Sequence, residues 1–147
     1  MGTIKRFFYS VFRKPINFIF NFWERGESVI CIIEENNRIL FVRNPNYPSL
    51  WTLPGGRMKR NELPVEAVIR EVREETGMRI RSPRLFGDQN SKRGERIIST
   101  THCFYAEAEK QALVPDISEI IEARWYERRN FPKPLSLTAE RAIALWK

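Results

Sequence analysis

Hydrophobic positions along the chain fall into two spacings. ESVICIIE (27–34) is a short apolar run that alternates imperfectly, as a buried strand does. Asn36 and Asn37 supply turn chemistry, and RILFVRN (38–44) returns as a second strand, so the pair predicts a hairpin. A loop with Pro45 and Pro48 leads to Trp51, Thr52 and Leu53, then to Pro54-Gly55-Gly56. Between Pro64 and Gly77 the period changes. Val65, Val68, Ile69 and Val72 recur at helical spacing, Pro64 suits a first helical turn, and Gly77 suits a left-handed cap. Beyond it, 79–86 reads as a strand, 87–94 as a polar loop, 97–108 as a longer strand and 122–127 as another. Thr138 is placed to cap a final helix, AERAIALWK. Strands dominate and helices are few, which makes the fold class α+β.

Residues 1–25 follow neither spacing and form an N-terminal extension to a domain over 26–147. Lys5, Arg6, Arg13 and Lys14 meet no acid before Glu24, and Phe7, Phe8, Phe12, Phe18, Phe20, Phe22 and Trp23 lie among or after them. Charges interrupt the apolar part, so it is a poor signal peptide. Arg6 stands where a myristoylation motif wants Ser or Thr. Two readings remain. The aromatics dock on the domain or on a second copy in a homodimer, or the segment is an interfacial membrane anchor.

Composition narrows the function. The 147 residues fit one domain, and 42% hydrophobic content suffices for a core. No run approaches eighteen apolar residues, so no transmembrane helix is predicted. A net charge of +7 leans towards anionic partners such as nucleotides, nucleic acid or acidic lipid. Cys31 and Cys103 sit in strand-like runs and read as buried thiols in a reducing, cytoplasmic setting. With two cysteines and a single histidine, His102, a closed zinc site lacks ligands. GxSxG and GxxxxGK[ST] are both absent, which removes support for a serine hydrolase or a P-loop protein.

The predicted helix carries an unusual flank. Glu71, Glu74 and Glu75 occupy one arc beside the apolar stripe. Each like-charge pair at i,i+3 or i,i+4 costs a few tenths of a kcal/mol. A hard divalent cation turns that cost into a gain, because Mg²⁺ takes carboxylate oxygens and keeps waters that substrate phosphates replace. Leu63, at the capping position, lacks the side-chain acceptor expected there.

The stretch GGRMKRNELPVEAVIREVREETGM (55–78) resembles the signature of the Nudix hydrolases, with Gly56, Glu62, Arg70, Glu71, Val72, Glu74, Glu75, Gly77 and Met78 in register. At average residue usage, its most restricted positions agree by chance roughly once in 10⁸ starts. The resemblance implies an α/β/α sandwich around a mixed sheet over about 26–147. It also implies metal-dependent attack of water on a nucleoside diphosphate linked to another moiety. Glu71, Glu74 and Glu75 match the family's metal ligands, Glu62 a loop glutamate near the metal, Gly55 a glycine whose carbonyl can ligate it, and Arg70 the arginine that orients the glutamates. The ion implied is Mg²⁺, with Mn²⁺ as a substitute. Glu119 sits where a further catalytic carboxylate commonly lies, and Glu122 is the runner-up. Glu71 or Glu119 would act on the water. Arg43, Arg57 and Trp51 are candidates for substrate binding, with Tyr47, Phe86 and Phe104 as further stacking platforms. His102 reads as structural. Two alternatives stand beside a soluble nucleotide substrate: hydrolysis at the 5′ end of RNA, and a non-catalytic nucleotide sensor.

Overall fold

The computed structural model describes residues 26–147. The readings of 1–25 therefore lie outside the described residues. The chain forms β1 (Gly26–Glu35), β2 (Arg38–Arg43), β3 (Gly55–Arg57), α1 (Pro64–Thr76), β4 (Ile80–Arg93), β5 (Arg96–Ala108), β6 (Glu122–Glu127) and α2 (Leu137–Trp146). The strands make one mixed sheet in the order β4-β5-β1-β2-β6, and β3 also pairs with β1. Only β1 and β5 run parallel.

The imperfect alternation of β1 now has a cause. Val29, Cys31 and Ile33 face α1 through Ala67, Val68 and Val72, whereas Ile30 and Ile32 face α2 through Ala139, Ala142 and Ile143. Both faces of this strand are covered, so no position needs to be polar. The helices lie on opposite faces, which is the expected α/β/α sandwich. The β1–β2 turn is made by Asn36 and Asn37 at φ 50° and 61°, left-handed values that a two-residue hairpin turn requires. β6 has the predicted bounds.

Three expectations change. Residues 87–94 are not a loop: β4 continues to Arg93 and pairs with β5 up to Arg93–Arg96. Outer positions of this hairpin are solvated on both sides, so the main-chain ladder forms without an apolar alternation to announce it. The α1 stripe is also shifted. Ala67, Val68, Val72 and Thr76 are buried, while Val65 and Ile69 remain 39% and 44% exposed. Finally, Ser136 rather than Thr138 caps α2, its hydroxyl accepting a hydrogen bond from the Ala139 amide at 3.2 Å.

At the start of α1, half of a capping box is present. Glu66 Oε2 accepts from the Leu63 amide at 3.0 Å, but Leu63 offers no acceptor in return. Its side chain is 59% exposed and fills no pocket. Leu63→Thr should therefore complete the box and raise stability by about 1 kcal/mol. A urea midpoint that stays put or falls would refute the capping argument.

Candidate active site

Two glycines set the geometry. β3 lies antiparallel on β1 with Gly55 opposite Ile30 and Gly56 opposite Val29. A Cβ at Gly55 would stand 2.1 Å from the Val29 carbonyl oxygen and 2.8 Å from Ile30 Cα. The strand can approach β1 this closely only without a side chain there. A Cβ at Gly56 would stand 2.5 Å from the Glu71 carboxyl group. That glycine opens the space that the carboxylate occupies. At the far end of α1, Gly77 takes φ 71° and returns its amide to the Arg73 carbonyl at 2.9 Å, ending the helix as expected.

Arg70 organises the acids. Its Nε and Nη2 donate to the two oxygens of Glu62 at 2.6 and 2.9 Å. Nη1 donates to Glu71 at 2.8 Å and to Glu74 at 3.1 Å, and Nη2 also reaches the Arg57 carbonyl at 3.0 Å. Glu62 is further held by the Lys59 amide at 2.8 Å. Its hydrogen bonds from Arg70 lower its carboxyl to about 2, so it stays charged. The same bonds push the Arg70 guanidinium up.

Glu71 behaves differently. Its side chain is 12% exposed, and burial pushes its carboxyl up. Arg70 pulls the other way, while the charges of Glu74 and Glu119 add to the rise. Glu74 is more open, at 47%. Glu75 accepts from the Gly55 amide at 3.1 Å, tying the helix to β3. In this arrangement no three acidic, histidine or cysteine side chains among the described residues converge on one point. Arg70 is the cation that stands among them.

Glu119 comes close to this flank because its loop is anchored to the end of α1. The Val114 amide donates to the Thr76 carbonyl and the Asp116 amide to the Glu75 carbonyl, each at 2.9 Å. Glu122 goes elsewhere. It lies opposite Arg43 in the β2–β6 pairing, and the two form an ion pair. Arg43 also donates to the Pro48 carbonyl at 2.9 Å and stacks over Trp51, with its carbon 5.0 Å from the ring centre. Trp51 belongs to the α2-side core. Arg57 lies one residue beyond Gly56 on β3, and its guanidinium approaches Gly26. The structure thus gathers Glu62, Arg70, Glu71, Glu74, Glu75, Gly55 and Glu119 around one flank, and the Arg57 carbonyl joins them through Arg70.

Comparisons with known proteins point the same way. The family model described as NUDIX domain matches residues 24–146. An NAD-capped RNA hydrolase of Stutzerimonas stutzeri is 30% identical over 118 residues, covering 80% of this chain and 41% of that protein. A diphosphoinositol polyphosphate phosphohydrolase of Homo sapiens is 40% identical over 77 residues, covering 51% of this chain and 42% of that one. The chain thus spans less than half the length of these curated relatives. A crystal structure of a MutT NUDIX hydrolase from Burkholderia pseudomallei superposes with a TM-score of 0.72 at 20% identity, covering 83% of this chain and 98% of that one.

Proposed function

The chain belongs to the Nudix family, and on that premise we propose that it hydrolyses a pyrophosphate bond in a nucleoside diphosphate linked to another moiety. The observation that carries this reading is the nest around Arg70, where one nitrogen of its guanidinium holds Glu71 and Glu74 together and Gly56 leaves room for the Glu71 carboxylate.

The donor set fits a divalent ion such as Mg²⁺, or Mn²⁺ in its place. All the donors are hard oxygens, and Gly56 leaves open the space beside the Glu71 carboxylate. Glu71, Glu74 and Glu75 would hold the ion, with Gly55 and Glu62 at its margin. When bound, such an ion neutralises phosphate charge and acidifies water. The protein's own part is positional. Arg70 fixes the carboxylates, Glu62 fixes Arg70, and Gly55 lets β3 lie under the helix. Glu71 or Glu119 takes the proton from the attacking water as its oxygen bonds to phosphorus and the bridging oxygen leaves with the electron pair.

A second reading, hydrolysis at the 5′ end of RNA, is supported by the net charge of +7 and by the name of the Stutzerimonas relative. The buried, unpaired thiols of Cys31 and Cys103 support a reducing compartment.

One panel tests these readings. The purified chain is incubated with Mg²⁺ and nucleoside triphosphates, nucleotide sugars, ADP-ribose, dinucleoside polyphosphates and 5′-capped RNA, and products are identified. Cleavage at the diphosphate of one soluble class is the expected result. Turnover confined to RNA, with affinity falling steeply as salt rises, would favour the second reading. Tight binding without any product would make the chain a sensor.

A further inference from the structure

The site just described leaves unused a constellation on the same face of the sheet. His102 lies on β5 opposite Val29, and Val29 lies opposite Gly56 across β1. Paired residues in neighbouring strands point to the same face, and the Gly56 position points at Glu71. Two strand spacings therefore separate His102 from Gly56, about 10 Å across the face that carries the catalytic flank. That is the reach of a sugar joined to a diphosphate held at Glu71.

The hydrogen bonding of this group gives it a definite polarity. Asp88, opposite His102 on β4, stands 2.8 Å from Nδ1. A carboxylate oxygen accepts, so Nδ1 is the donor of this pair and Nε2 is the ring nitrogen left for another partner. Nε2 looks across 3.9 Å to Glu27 Oε1, too far for a direct hydrogen bond. Glu27 Oε1 and His102 Nε2 thus face one gap without bonding each other. Glu27 is fixed relative to the first site, because its carbonyl accepts from the Met58 amide at 3.0 Å. The His102 side chain is only 14% exposed, while those of Glu27 and Asp88 are half open to solvent. Leu85, more than half exposed and paired with Phe104 on the same face, supplies an apolar neighbour.

We propose that Glu27 and His102, held by Asp88, form a subsite for the vicinal diol of a sugar attached to the diphosphate. The proposal rests on the hydrolase reading for its substrate. Adjacent hydroxyls are spaced a little more closely than these two atoms, so one can donate to Glu27 while the other bonds Nε2, as donor or as acceptor. Carboxylates read ribose hydroxyls in this way in dinucleotide-binding folds. An additional phosphate in the same place would meet the carboxylates of Glu27 and Asp88. The subsite therefore selects a sugar-bearing diphosphate over a polyphosphate chain.

The test separates this subsite from the hydrolase reading. ADP-ribose is compared with an analogue in which the vicinal hydroxyls of both riboses are replaced by hydrogen. Affinity is measured by calorimetry in chelator, and hydrolysis is measured with Mg²⁺. The wild-type chain should bind the diol compound about tenfold tighter or more, as hydrogen bonds to a charged acceptor require. Glu27→Ala, an exposed substitution that spares the core, should collapse that ratio towards one, Glu27→Gln should restore part of it, and His102→Ala should lower it. Discrimination without hydrolysis would sustain the subsite and defeat the hydrolase reading. Hydrolysis of both compounds at equal kcat/KM would do the reverse. Absence of binding, or a ratio unchanged in Glu27→Ala, would overturn the subsite.

Discussion

Glu71→Gln is expected to cut turnover about a thousandfold or more while the fold survives. The amide matches the carboxylate in shape, and its oxygen can still accept from Arg70 Nη1. What is lost is the negative charge that the active flank is built to present. The substitution should leave the melting temperature unchanged or higher. Burial raises the Glu71 carboxyl in the folded state, so folding favours its protonated form. The stability tied to that form is fully present below the ordinary carboxyl range and is lost as pH rises through the raised value. A glutamine is neutral at every pH and so does not incur that loss. Glu74→Gln should match the loss of turnover with less effect on stability, because Glu74 is nearly half exposed. Steady-state kinetics with Mg²⁺ on the substrate identified by the panel, beside thermal melts, measure both quantities. Near-normal turnover in either variant would end the assignment of these carboxylates.

Gly55→Ala should do the opposite, removing the fold and with it the activity. The added Cβ would meet only backbone: the Val29 carbonyl at 2.1 Å and Ile30 Cα at 2.8 Å. No side-chain rotation relieves contacts of that kind, so β3 must leave β1. Overpacking alone costs about 1–3 kcal/mol, and losing the strand pairing should bring the total to the upper end or beyond. Gly56→Ala provides the contrast. Its Cβ would meet the far end of the Glu71 side chain, which can swing away. That variant should stay folded, lose turnover and keep the urea midpoint close to the wild type. Equal midpoints for the two alanine variants would show that β3 does not depend on contact with β1.

The acidic flank is legible because its residues are local in sequence. A helix repeats every 3.6 residues, so the spacing of Glu71, Glu74 and Glu75 places them together without knowledge of the fold. Gly77 and the Asn36-Asn37 turn were legible for a related reason, since left-handed backbone restricts residue type at single positions. Contacts between strands were not. Glu119 and Glu122 are equivalent acids in DISEIIEARWYE until the β2–β6 register sets Glu122 against Arg43. The partnership of His102 with Asp88 is not legible in the sequence, because Asp88 lies in a stretch that reads as loop and the two meet only once β4 continues through it. The Ser136 cap was missed because Thr138 offers the same chemistry two residues later.

The anchoring of the 109–121 segment to α1 has a consequence for how the protein can change. Both anchors, Val114 to Thr76 and Asp116 to Glu75, are made by main-chain atoms. The side chain of Ile117, one residue beyond the second anchor, is 79% exposed and takes no part in these bonds. Drift or deliberate randomisation at such points can reshape the rim of the cleft while the acid behind it keeps its address. New specificities are then reachable from this chain by single steps that leave its chemistry untouched.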